Sequence, residues 1–415
     1  MKKSIAIFLL IIGIASIAHS QSPAVQIKDR LIDAGFENIR VGVLKDEYTI
    51  SFENNIYGWN VRALATVLDT LSKYAPENAN LNVIQLRFDI PQIVTKVDAG
   101  AWKKFRNDTL VGTAIDSSLI ISYQTKKTWR KIKDSKPMQR STVKFDFVFY
   151  PQFYLTNLPF GTIYEVQFNI APAMEVSFWK GSLLTAQVIF PIYSNCMVFG
   201  EEGKLIRPGF LVLSQDFRLG GPWFGNVSIG NFNFHRYGID ASIRHPFKNP
   251  RWDIGVNAGL TGSSVFRADG WEFGSPNTFT FSLSAGYFLP YYNLRFDIKA
   301  GRFLQGDYGG RFDLTRMFGE TSIGFYAAYT VLNDGEGGHA NAGFHFAIPF
   351  PPGKRFRHKT FRINVPRYFD WEYNGATDFV YNRYYERRPN ENRSEHYFNP
   401  LYIKNELLKN RHYRK

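Results

Sequence analysis

Between Leu294 and Arg316 the chain carries a high density of opposite charges at short spacing: Arg295, Asp297 and Lys299, then Arg302, Asp307, Arg311, Asp313 and Arg316. The first three alternate with Leu294, Phe296 and Ile298, so on an extended strand the charges share one face and the apolar side chains the other. Arg302, Asp307, Arg311, Asp313 and Arg316 predict an internal ion-pair network, and all eight charged residues are candidates for the inward, polymer-contacting wall. Such a wall can be purely structural, or it can form a polar track that sugar hydroxyls and carboxylates follow. The ingredients of covalent or metal chemistry are thin elsewhere. His235, His245, His339 and His345 sit in turns or strands of the same half of the chain, and no H-E-x-x-H, phosphate loop or G-x-S-x-G elbow occurs. The single cysteine, Cys196, excludes an intramolecular disulfide and any Cys-based metal site. No catalytic residue, cofactor or metal ligand is assigned, and the chain is expected not to be an enzyme.

The elements that position these charges have a period of two. From Val143 to Phe369, apolar and polar residues alternate almost throughout: Trp252, Ile254, Val256, Ala258 and Leu260 oppose Asp253, Gly255, Asn257 and Gly259, and Phe279, Phe281, Leu283, Ala285 and Tyr287 oppose Thr280, Ser282, Ser284 and Gly286. The segments run to about ten residues, end in aromatics such as Tyr287, Tyr291 and Tyr292, and are separated by Gly, Pro, Asn or Asp. Strands of ~9–11 residues with an apolar outer band and a polar interior are what a transmembrane barrel requires, and this span has room for about 12–14 of them. Lipid leaves no alternative to closure, because an open sheet edge would strand backbone polar groups. A soluble antiparallel sandwich or barrel with one wet face is the competing reading. In the barrel register Phe296→Arg should block assembly, whereas an inward exchange such as Arg295→Glu should be tolerated.

The remainder of the chain divides by composition. Residues 1–20 read as a signal peptide, with Lys2 and Lys3 before an apolar run and Ala18-His19-Ser20 at the cleavage site; an uncleaved anchor is the alternative. Residues 21–100 read as a small periplasmic α/β domain in the order αββαββ. Val25, Ile27, Leu31 and Ile32 share a helical face, Ile39 to Phe52 forms a hairpin, and Val61, Leu64, Val67, Leu68 and Leu71 form a second apolar stripe. Docking is the expected job of this domain. Residues 101–142 read as a basic linker: from Lys126 to Lys144 there are eight basic residues and one acid, Asp134. Residues 370–415 read as a polar periplasmic tail, with the last strand at Lys359 to Phe369. A net charge of +14 suits a polyanionic partner or a membrane surface, and export removes nucleic acid from the candidates.

The stretch from Ala300 through Gly306-Asp307-Tyr308-Gly309-Gly310 to Phe312-Asp313-Leu314-Thr315-Arg316 resembles the YjbH family of outer-membrane exopolysaccharide biosynthesis proteins. Gly335-Glu336-Gly337, Gly343 to Pro349 and Arg207-Pro208-Gly209 are similar as well. The resemblance implies an outer-membrane β-barrel acting with capsule or exopolysaccharide machinery, a small periplasmic α/β domain and no established catalytic chemistry. The expected fold is therefore mainly β, a transmembrane antiparallel barrel preceded by an α/β domain. The expected function is export or assembly of a secreted polysaccharide, with outer-membrane lipid, an acidic polysaccharide and periplasmic export proteins as partners. A general diffusion porin is the runner-up, and a lipid-modifying barrel enzyme ranks below it.

Overall fold

A computed structural model describes residues 22–110, 112–156, 164–332, 337–350, 354–355, 360–375, 381–391 and 398–411. The signal-peptide reading of 1–20, Gly335-Glu336 and the Lys359 strand start fall outside the described residues. The fold is mainly β, with a 5-stranded sheet followed by a 15-stranded sheet.

The smaller sheet belongs to an α/β unit made of α1 (Pro23–Asp33), β1 (Glu37–Leu44), β2 (Glu47–Glu53), α2 (Asn60–Tyr74), β3 (Asn80–Arg87) and β4 (Ile90–Asp98). β1–β2 and β3–β4 are antiparallel hairpins. α2 is the crossover that makes β2 and β3 parallel neighbours. Its stripe of Val61, Leu64, Val67, Leu68 and Leu71 is fully buried, whereas Val25 of α1 is exposed. Leu68→Asp should lower stability by about 4 kcal/mol or more, since a carboxylate at a fully buried apolar site has no partner there. Thermal unfolding of the full chain checks it, and an unchanged melting temperature would mean that α2 packs elsewhere.

Residues 101–142 are not a linker. They add α3 (Ala99–Arg106), α4 (Gly112–Asp116), the edge strand β5 (Ile120–Ser122), which pairs with β4, and α5 (Lys126–Trp129). Ile132 is buried with Ile84, Leu86 and Val94 while Trp129 packs alongside, and Lys131 and Lys144 pair with Glu47 and Glu37. Two apolar anchors at i and i+3 thus hold the basic run against the unit, and part of its charge is neutralised there.

The large sheet begins with β6 (Phe145–Thr156), β7 (Glu165–Val176), β8 (Ser182–Ser194), β9 (Arg207–Leu219), β10 (Trp223–Phe232), β11 (Arg236–Pro246) and β12 (Trp252–Arg267). It continues through β14 (Thr278–Leu289), β15 (Leu294–Arg302), β16 (Tyr308–Phe318), β17 (Thr321–Val331) and β18 (His339–Pro349), each antiparallel to its neighbour; β13 (Gly270–Phe273) pairs with β12 alone. The chain then supplies β19 (Phe361–Asn364) and β20 (Tyr368–Asn374). β19 lies parallel to β6 and β20 antiparallel to β18, so the first and last strands of the run each pair with a piece of 361–374. Strand structure therefore reaches Asn374, beyond the expected Phe369.

The α/β unit sits against one end of this sheet. Arg218 donates to the Pro91 carbonyl (2.6 Å), Arg367 to the Asn54 carbonyl (2.6 Å) and Arg362 to the buried Glu37 carboxylate (2.9 Å). The core of the unit extends to Phe288, Met317 and Tyr368 of the sheet and to Tyr402, Ile403 and Leu407 of α6 (Pro400–Lys409). α6 starts where Asn399 accepts hydrogen bonds from the Leu401 and Tyr402 amides ahead of Pro400, an N-cap followed by proline in the first turn. Residues 370–415 accordingly contain the end of a strand and a docked helix, where the sequence reads as a polar tail whose alternative is a partner-binding strand or helix.

Candidate functional site

On β15 the two faces separate as the alternation requires. Ile298 is 55% exposed on one face, while Arg295, Asp297 and Lys299 occupy the other. The Arg295 guanidinium, 5% exposed, is held bidentately by Asp253 (2.8 and 3.0 Å) and also by Asp297 (2.7 Å). Arg311 does the same with Asp313 (2.7 Å) and Glu372 of β20 (2.7 Å). Asp297 and Asp313 stand directly opposite each other in register, a destabilising like-charge arrangement that the two arginines compensate. Lys299 places its ammonium 4.5 Å from the Tyr384 ring.

The remaining three residues do not join this network. Arg302 donates to the Phe279 carbonyl (2.7 Å) and lies over the Tyr308 ring. Arg316 is exposed beside Phe318, on the face that carries Phe312. Asp307 is fully buried in the β15–β16 turn, where Gly306 adopts φ +85°, and accepts the Asn382 amide (2.9 Å). Of the five residues expected to form one network only Arg311 and Asp313 pair, with Arg302, Asp307 and Arg316 elsewhere; Arg295 and Asp297 form a separate cluster and Lys299 sits against an aromatic ring.

What fills the polar face is a segment of the chain itself, residues 381–391. Tyr385 donates to Asp240 (2.8 Å) and stacks on Phe232 with centroids 5.1 Å apart. Arg387 bridges Asp240 (3.0 Å) and Ser242 (2.7 Å), and Arg388 pairs with Asp216 (3.1 Å). At one end the segment meets the β15–β16 turn through Asn382, and at the other Asn390 donates to the Tyr368 carbonyl (3.0 Å) near the α/β unit. It therefore runs the length of the face. Sequence reasoning missed this, although Asp216 and Asp240 each stand at an inward position of an otherwise apolar–polar strand, where a buried carboxylate demands a cationic partner.

Where the α/β unit meets the sheet there is a cavity of about 220 Å3. Six basic side chains and three acidic ones line it. Arg355 and Arg367 direct hydrogen bonds to the carbonyls of Val365 and Asn54, so the lining carries surplus positive charge. On the α/β side Glu53 is buried and accepts from Asn38, Phe88 and Asp89. Burial, and then the nearby Glu37 charge, raise its carboxyl above the ordinary 4.5. An acid raised in the folded state contributes stability that is present below pH 4.5 and is lost as pH climbs through the raised value. Glu53→Gln should flatten that slope in thermal unfolding across about pH 4 to 7, and an unaltered slope would exclude Glu53 as its source.

The histidines occupy aromatic or polar settings: His245 stacks on Trp223, His339 on Tyr381, and His345 lies 3.4 Å from the Thr315 hydroxyl. Among the described residues no group of three or more His, Cys, Asp or Glu could hold a metal ion, and no helix is long and apolar enough to cross a membrane. The latter says nothing about strands.

No curated protein and no solved structure gives a significant match to the chain. The family model of YjbH, described as exopolysaccharide biosynthesis protein YbjH, matches residues 15–355. That match spans the α/β unit and nearly all of the large sheet, and the chain belongs to the YjbH family of exopolysaccharide biosynthesis proteins.

Proposed function

We propose that the protein is a non-enzymatic outer-membrane β-barrel that takes part in the export or assembly of a secreted exopolysaccharide. In this reading the sheet closes through residues 361–374, and the α/β unit with α6 stands in the periplasm, where it docks export proteins or polymer. The observation that carries it is the contrast between the two faces of the large sheet. One face exposes Leu283, Ile298, Phe312 and Phe325, the last at 63%, while the other holds arginine–carboxylate clusters and the docked residues 381–391. So much exposed apolar surface on one face matches lipid as solvent, and a charged interior matches a lumen. The surplus positive charge of the junction cavity supports an acidic stretch of polysaccharide as a partner at the periplasmic side. A lumen occupied by the chain itself also weighs against the diffusion-porin reading.

The protein should sediment with outer membranes, and unboiled samples should migrate differently from boiled ones in detergent gels. A soluble protein with no such shift would sink the barrel. Cells lacking the gene should show reduced surface exopolysaccharide, restored by the wild-type gene. An unchanged surface coat would sink the export role.

A further inference from the structure

A second cavity of about 220 Å3 lies at the end of the sheet remote from the α/β unit. The hairpin joining β7 and β8 touches that unit through the hydrogen bond from the Gly181 amide to the Phe88 carbonyl (2.9 Å), whereas the cavity is built from the opposite ends of the same strands. One wall consists of amides on three adjacent strands: Gln152 on β6, Gln167 and Asn169 on β7, and Gln187 on β8. They are linked to one another: Gln167 Nε2 donates to Asn169 Oδ1 (2.5 Å), and Asn169 Nδ2 donates to Gln152 Oε1 (3.3 Å). Gln167 is 1% exposed, and its Oε1 accepts no hydrogen bond from the described residues. A buried amide oxygen without a protein donor is costly, so Gln167 Oε1 offers an acceptor to a ligand hydroxyl or a bound water in the cavity.

Aromatic side chains complete the lining, with Phe210, Phe232 and Trp271. The Trp271 indole is fixed, because Nε1 donates to Ser264 Oγ (2.8 Å), which donates to Asn231 Oδ1 (2.5 Å), and Asn231 Nδ2 donates to the Gly209 carbonyl (2.8 Å). The charged groups of the lining satisfy each other: Arg207 and His235 both approach Glu202, at 3.3 and 3.4 Å. No surplus cation is left to select a phosphate or carboxylate. Planar amides offer a fixed donor and acceptor to hydroxyl groups at the rim of a ring, and an aromatic plane packs against the C–H face of that ring.

We propose that this cavity binds an uncharged sugar unit. The proposal deepens the exopolysaccharide reading and rests on it for the natural ligand, while the cavity chemistry stands on its own residues. A polymer containing both neutral and acidic sugars would meet the amide cavity at one end of the sheet and the basic cavity at the other.

The test uses the full chain purified in a detergent without a sugar headgroup. Maltohexaose, cellohexaose and chitohexaose serve as neutral probes and hexagalacturonate as the acidic one, read by tryptophan fluorescence and saturation-transfer NMR. At least one neutral oligomer should bind, and Gln167→Leu and Trp271→Ala should each weaken it by about tenfold, the scale of one lost hydrogen bond or ring contact. Hexagalacturonate finds no pairing cation in this cavity and should bind only at the basic junction cavity, so its binding should be unchanged in Gln167→Leu and Trp271→Ala. If no neutral oligomer binds at millimolar concentration, if the two substitutions weaken the acidic probe as much as the neutral one, or if neither variant weakens neutral binding, the proposal is overturned. Should Gln167→Leu fail to fold, Trp271→Ala, on the short β13 ribbon, carries the comparison. Gene deletion that reduces the surface coat without any sugar binding in vitro would overturn this site alone. Sugar binding with a normal coat after deletion would overturn the export role alone.

Discussion

Arg295→Glu will fail to accumulate in assembled form. The substitution places a third carboxylate against Asp253 and Asp297, which now share one guanidinium at 2.7 to 3.0 Å. Losing one partner of a buried pair costs about 3–5 kcal/mol because the other charge is left uncompensated, and reversing the sign adds repulsion. Strand alternation alone gives the opposite expectation, that an inward charge exchange is tolerated, because alternation reveals which way a side chain points but not whether its charge is committed. In the barrel proposed above, Phe296→Arg should also assemble poorly, at ~2–4 kcal/mol for a guanidinium that would face lipid. Both can be read as the fraction of heat-modifiable protein in outer membranes. Wild-type levels of Arg295→Glu would mean that the Asp253–Arg295–Asp297 cluster does not support the fold.

The second large effect concerns residues 381–391. Replacing Arg387 and Arg388 together by alanine removes the cationic partners of Asp240 and Asp216, both buried or nearly so. Each stranded carboxylate is worth about 3–5 kcal/mol against the docked state, enough to detach the segment while α6 remains anchored in its own core. In planar bilayers the wild-type protein should conduct weakly, and the double variant should open to a substantially larger, cation-favouring conductance set by the exposed aspartates. A variant as closed as the wild type would show that something other than this segment obstructs the path.

Legibility from sequence followed the range of the interactions. The stripe of α2 and the two faces of β15 are written in periods of 3.6 and two, and both were readable. The same arithmetic also separates residues that composition groups together: Arg302 lies seven positions from Arg295, and Arg316 five from Arg311, and an odd step along one strand crosses the sheet. Treating them as one inward-facing set overlooks that parity. The pairing of Arg387 with Asp240 and of Arg388 with Asp216 spans 147 and 172 residues, and no local pattern announces it. The run from Lys126 to Lys144 looks like a linker by charge count, yet Trp129 and Ile132 pin it to Ile84, Leu86 and Val94 of the α/β unit. Asn399-Pro400 was the local signal for α6, visible only as a cap followed by proline.

The division of 361–374 between β6 and β18 has a consequence for biogenesis. Arg362 reaches back 216 residues to Asp146, so the edge of β6 must wait for nearly the whole polypeptide before it is covered. Until then, a chain emerging in order presents two unpaired strand edges at once, the form most prone to pairing with a neighbouring copy. Contacts this distant in sequence also make for slow closure. The late-arriving stretch is therefore a timing element: both edges must be kept apart from other chains until Phe361 and its neighbours arrive, and a chain ending before that point would be left with its edges bare.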